Sequence, residues 1–270
     1  MISLRFKYDF GAALWRLKLD TATGNLALEV RDGDLLLTSF WVLNCQTLAL
    51  QELQLPRPNT WWYGLEEAHG GFVWLHGYGD RKLGQHKGIT AMATNGQVLW
   101  EQPELAFYGV GQRGLYAHEV QQPGTGLRLL EIASGKETHQ GISQAEAAEQ
   151  VHLFNTLRFE NCQYPVLYLE GETYFNEVAA FLQATQAIEA VKAIEYLDTA
   201  SHILVSCYRQ SSEGKLDNYL FIFDLEGNLC YSECLASELS GIGSDTFFIF
   251  RGDLYFIQKK EILQIHSLLV

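Results

Sequence analysis

Gly88-Ile89-Thr90-Ala91-Met92-Ala93-Thr94-Asn95-Gly96-Gln97-Val98-Leu99-Trp100-Glu101 reads as a strand, a tight turn and a second strand. Asn and Gly both tolerate positive φ, which a short hairpin between twisted strands requires. The pattern recurs around Ile132-Ala133-Ser134-Gly135-Lys136-Glu137-Thr138 and Phe223-Asp224-Leu225-Glu226-Gly227-Asn228-Leu229-Cys230-Tyr231. Leu43-Asn44-Cys45-Gln46-Thr47-Leu48 is a copy without the glycine. Each hairpin follows a run rich in branched and aromatic residues. Those runs begin at Leu35, Phe72, Leu115, Val166, Ile203 and Leu254. Their mean step is about 44 residues, within the length of a four-stranded propeller blade. Two echoes support the repeat: Arg31-Asp32-Gly33-Asp34-Leu35 against Arg251-Gly252-Asp253-Leu254, and Trp62-Tyr63-Gly64-Leu65 against Phe107-Tyr108-Gly109-Val110.

The stretch Ala93–Glu101 resembles the hairpin of the quinoprotein-type β-propeller repeat, with its Asp- or Asn-bearing turn, its Gly and a late Trp. The resemblance implies a propeller and nothing catalytic. Thr138 and Tyr231 stand where that family places Trp, so its tryptophan-docking lattice and its quinone site do not carry over. The chain also looks like uncharacterised, propeller-like bacterial families, a likeness that adds no activity.

These observations predict an all-β, six-bladed β-propeller forming one domain over residues 1–270. The expected blades cover about 14–55, 60–102, 104–140, 152–190 and 192–235, with a last blade of three strands at 246–250, 253–258 and 262–268. Its fourth strand is predicted to be Ile2–Tyr8, which would pair first strand with last and remove open edges. Two segments fit the repeat poorly. Residues 143–150 have helix-forming composition and predict a short helix in a connection. Residues 176–197 support two readings, a pair of strands turning at Ala184-Thr185-Gln186 or a helix with Val178, Phe181, Leu182 and Thr185 on one face.

The 270 residues carry 19 basic and 32 acidic side chains, a net charge of −13, and no long stretch clusters Lys or Arg with interleaved aromatics. That balance argues against nucleic acid or an anionic membrane as a partner. No apolar run reaches the ~20 residues of a membrane span, and Met1–Lys7 leads into no signal-peptide core. Five cysteines, an odd number without CxxC pairing, suit reduced thiols in a cytoplasmic protein.

Binding on a rigid repeat scaffold usually resides in its longer loops. Pro56–Tyr63 and Gly77–Gly88 are the most unusual: Arg57, Arg81, Lys82, His86 and Lys87 make them cationic within an acidic chain. Arg57, Trp61, Tyr63, Arg81, His86 and Tyr108 are therefore the candidate ligand-binding residues. Charge-assisted hydrogen bonds and aromatic stacking would suit a small anionic or sugar-like ligand. The competing reading is a solvated loop with tryptophans in the core. The histidines show no HxH, HxxxH or HExxH spacing and predict no metal. Asp20–Asn25 reads as a hairpin turn rather than a calcium loop. No GxSxG, P-loop or GxGxxG opens a helix, so no cofactor and no catalytic residue are assigned. Sequence alone thus predicts a non-catalytic binding or scaffold module for a protein partner or a small polar ligand. The alternative is a propeller hydrolase or lyase with a central carboxylate- or His-lined pocket, to which Glu66, Glu67 and Asp245 would contribute.

Overall fold

Strand after strand pairs antiparallel with its neighbour in sequence, so the chain is built of meanders. The structure, a computed structural model, describes residues 2–80, 82, 84–120, 126–211 and 214–268. The first strand, β1 (Ser3–Asp9), is followed by three four-stranded sheets. They are β2 (Ala13–Asp20) to β5 (Leu50–Leu53) through β3 (Asn25–Asp32) and β4 (Leu37–Asn44). Next come β6 (Tyr63–His69), β7 (Phe72–Asp80), β8 (Gln85–Ala93) and β9 (Val98–Gln102). The third is β10 (Leu105–Gly111), β11 (Gly114–Glu119), β12 (Leu127–Leu130) and β13 (Glu137–Ile142). Helix α1 (Gln144–Arg158) ends this compact unit, which spans Ala12–Glu160.

The second unit comprises Met1–Gly11 and Asn161–Val270. It holds β14 (Cys162–Gln163), β15 (Val166–Leu169), helix α2 (Thr173–Gln186) and β16 (Val191–Asp198) to β19 (Leu229–Leu239), through β17 (Ile203–Gln210) and β18 (Leu216–Phe223). Then follow β20 (Phe247–Phe250), β21 (Asp253–Gln258) and β22 (Ile262–Ser267). Strands β15 to β19 form one five-stranded sheet, and β1-β22-β21-β20-β14 the other. As expected, the N-terminal strand joins the last sheet, paired from Ser3 opposite Ser267 to Asp9 opposite Ile262 with one register shift between Leu4 and Phe6. Among the described residues no helix is long and apolar enough to cross a membrane.

The six expected blades become five sheets among the described residues, and the correction falls on 152–190. Ala-, Glu- and Gln-rich sequence there makes α1, which starts at 144 with the Ser143 hydroxyl accepting from Glu146 N and runs on to 158. Pro165 has no N–H to give a ladder, and the strands on either side of it join different sheets: β14 pairs with β20, β15 with β16. Residues 176–197 resolve as helix and then strand. Phe175, Val178, Ala179 and Leu182 recur at helical spacing and bury against Ile194, Val205, Cys207, Phe221 and Phe223. Ala187, in the left-handed conformation, ends the helix.

Sheets pack face to face on alternating side chains. Val73 and Leu75 of β7 bury against Phe40, Val42 and Leu53 of the first sheet, while Trp74 between them buries against Leu105, Val110 and Leu115 of the third. The hairpin glycines sit at the seams. Gly96, at φ +89°, would place a Cβ 3.6 Å from the Gln54 backbone beside β5. At Gly135, φ +66°, a Cβ would lie 2.5 Å from the Trp100 ring, whose Nε1 donates to Ile132 O at 2.8 Å. One tryptophan therefore docks on the next sheet's turn even though the lattice as a whole is absent. At Gly227 a Cβ would lie 3.4 Å from the Phe181 ring of α2 instead of against a strand. In its unit, α2 covers the face that a preceding sheet covers elsewhere.

Candidate functional site

Two irregularities in the second sheet bring distant polar side chains together. Register runs from Leu65 opposite Leu75 to Glu67 opposite Trp74, leaving Glu66 as an extra, bulged residue in β6. It likewise jumps from His76 opposite Ile89 to Gly77 opposite Lys87, so that Gly88, at φ +88°, is extra in β8. A slip of one residue exchanges the faces of a strand. Without the Gly88 bulge His86 would face away from His76; with it, His86 pairs opposite Tyr78 and falls on the His76 face.

The result is a compact triad. Glu66 Oε1 stands 2.7 Å from His86 Nδ1 and 2.9 Å from His76 Nδ1. The two imidazoles stack at 3.5 Å between centroids and 10° between planes. Tyr78 meets both edge-on, at 5.1 and 5.5 Å. His76 is fully buried, its Nδ1 facing Glu66 and its Nε2 without a hydrogen bond, whereas the His86 side chain is a third exposed. Gly64 makes room for the buried ring, because a Cβ there would lie 2.4 Å from His76 Cε1 and 2.6 Å from Nε2. Burial disfavours the His76 imidazolium and lowers its pKa; Glu66 opposes this only in part. Burial alone would raise the Glu66 carboxyl, but hydrogen bonding and charge from His76, with His86 adding, leave its pKa lowered.

On the same sheet lies a cleft of about 380 Å³, lined by Arg57, Trp62, Tyr63, Tyr78, Lys87 and Glu101 among others. Its cations are matched by acids: Arg57 pairs with Glu101, and Lys87 Nζ with Glu104 Oε2 at 2.7 Å. Trp62 meets Tyr78 edge-on at 6.0 Å. Tyr78 thus borders both the cleft and the histidine pair.

Arg57 and Tyr63, of the expected binding residues, line this cleft. Trp61 belongs instead to a short 3₁₀ turn, Thr60–Trp62, and packs over Arg31 with 5.2 Å from guanidinium to ring. Arg31 also donates to the Trp61 and Tyr63 carbonyls, at 3.1 and 2.8 Å, and pairs with buried Glu29. His86 sits in the triad, not in the cleft wall. Tyr108 packs with Val151 of α1 against Tyr116, Leu127 and Leu129. Arg81 lies outside the described residues. The supposed loop 77–88 is largely paired strand, since β7 reaches Asp80 and β8 begins at Gln85. Glu67 is engaged by Arg158 at 2.6 Å, and Asp245 is exposed. Asp20 caps the turn it begins, accepting from Ala22 N and Thr23 N at 3.1 and 3.3 Å. Sequence spacing did not reveal the triad, whose members lie ten residues apart on three strands. Gly88, isolated within a strand-like run, was the one local sign of a bulge.

A family model described as a domain of unknown function, DUF4905, matches residues 19–100, from the end of β2 into β9, and so contains Glu66, His76 and His86. No curated protein matches the chain. Among solved structures, a Dos1 propeller is 9% identical, with 99% of this chain and 96% of that one covered and a TM-score of 0.39. A DUF4221 member from Bacteroides vulgatus is 6% identical over 99% and 97%, with a TM-score of 0.36. The β-propeller domain of the trilobed protease from Pyrococcus furiosus is 11% identical with a TM-score of 0.33; 90% of this chain aligns, and it spans 64% of that one.

Proposed function

We propose that this protein is a binding module whose meander sheets are propeller blades, and that its cleft takes a small, hydroxyl-rich ligand of the sugar class. The observation that carries the reading is the cleft wall itself: aromatic Trp62, Tyr63 and Tyr78 beside the Arg57–Glu101 pair. Aromatic faces suit the apolar face of a sugar ring, and paired ions offer donors and acceptors together without favouring an anion. Because both cations already have carboxylate partners, a neutral polar ligand fits better than an acid. The hydrolase or lyase alternative draws on one observation, the Glu66-His76-His86 triad, but none of the three lines the cleft. A cytoplasmic setting is part of the proposal.

The test is a thermal-shift screen of mono- and disaccharides, with nucleotides and small acids as comparators. A ligand at ~100 times its Kd stabilises the fold by about 2.7 kcal/mol. The expected hit is a sugar whose shift disappears in Trp62→Ala and weakens in Arg57→Ala. A hit confined to anions, or one indifferent to Trp62→Ala, overturns the assignment.

A further inference from the structure

Glu66, His76 and His86 offer three ligand atoms, one from each residue, all within 4.8 Å of one another. We propose that Nδ1 of His76, Nδ1 of His86 and the Glu66 carboxylate bind a divalent transition metal of the zinc class.

Three observations point the same way. First, the donor set is two imidazoles and one carboxylate, which suits zinc and its neighbours rather than calcium or magnesium. Second, the size is right. Ligand atoms about 2.1 Å from a tetrahedral ion stand roughly 3.4 Å apart. Oε1 is now 2.7 and 2.9 Å from the two Nδ1 atoms, so a shift of several tenths of an ångström opens the space, with the partly exposed His86 ring turning out of its parallel stack so that both lone pairs meet the ion. Third, His76 is completely buried and its Nδ1 already faces the Glu66 carboxylate at 2.9 Å, so two of the three donors are held together away from water. Its Nε2 points to the side of Gly64, where a Cβ would lie 2.6 Å away, and Nδ1 is the nitrogen turned to Glu66.

Three protein ligands leave at least one coordination position for water or another small ligand, on a site that His86 keeps partly open to solvent. Glu66, His76 and His86 do not line the sugar cleft, so this site stands independently of the function proposed above.

The experiment uses the 270-residue chain stripped with chelator and titrated with Co²⁺ as a spectroscopic substitute for Zn²⁺. Expected are one bound equivalent, visible d–d absorption, and displacement of the band by Zn²⁺. His86→Ala and Glu66→Gln should each weaken Co²⁺ binding at least tenfold, while exposed His118→Ala leaves it unchanged. His86 rather than buried His76 is the primary variant, because its partly exposed ring can be removed with the fold intact, as near-ultraviolet circular dichroism would verify. Absence of stoichiometric binding by the folded wild-type chain at ~1 mM metal overturns the proposal. So does a folded His86→Ala protein that binds as wild type.

Discussion

Gly64→Ala should act through one ring. The new Cβ would stand 2.4 Å from His76 Cε1, 2.6 Å from Nε2 and 3.3 Å from Nδ1, where ordinary contacts begin near 3.4 Å. Relief requires the imidazole to move by about 1 Å. Stacked on His86 at 3.5 Å and flanked by the Tyr78 edge, it has no space to do so. Overpacking of this kind costs about 1–3 kcal/mol. Gly64 does not have a positive φ, so no backbone strain adds to this, and the lost freedom of the unfolded glycine offsets about 0.4–1 kcal/mol. A net loss of about 1–2 kcal/mol is expected, or a Tm lower by roughly 3–6 °C at this chain length. Urea denaturation of metal-free protein, at constant m-value, would measure it. The double-mutant cycle is decisive. In a His76→Ala background the methyl meets no ring, so the added cost should fall close to zero, a coupling of about 1 kcal/mol or more. Wild-type stability in Gly64→Ala, or strict additivity of the two losses, would refute the account.

Arg158→Met should cost about 3 kcal/mol, because the Arg158 side chain is 5% exposed and its loss leaves Glu67 without the ion pair; a change below 0.5 kcal/mol in urea would exclude that role. Deleting residues 2–9 removes the β1–β22 ladder and takes Arg5 from the buried carboxylate of Asp253. The truncated chain should melt lower and associate by light scattering, and an unchanged monomer would contradict the edge-strand assignment. Burial lowers the pKa of His202 and of His266, so the unfolded chain takes up more protons below its ordinary histidine pKa of about 6.5. Their contribution is complete above that value and is lost as pH falls through it; stability should therefore decline between pH 7.5 and 5.5 and do so less in His266→Gln. Thiol titration at pH 8 should modify exposed Cys230 first. Cys207, whose thiol burial pushes up to about 12, should react only on unfolding, and early reaction of Cys207 by peptide mapping would show the core to be open.

The meander was legible because its determinants are local. Gly96 and Gly135 supply the positive φ of their turns, and strand runs such as Phe72–Leu75 are apolar on both faces because both faces meet another sheet. The N-terminal strand was legible for the same reason: the last sheet lacked a partner and Ile2–Tyr8 had strand composition. The fourth repeat was not, since Phe175, Val178 and Leu182 serve equally as helix face or broken strand until the core of β16–β18 offers a surface for a helix. Arg57 and Tyr63 come together in the cleft because they are near in sequence and flank one turn. Trp61 and Trp62 are interchangeable as letters; only the 3₁₀ turn turns Trp61 onto Arg31 and Trp62 to the cleft. The triad depended most on tertiary structure. Glu66, His76 and His86 carry no motif, and an unbroken register would have put the two histidines on opposite faces. A single extra residue at Gly88 reverses the parity of β8, and side-chain parity is a property of strand pairing, which no local stretch of sequence contains.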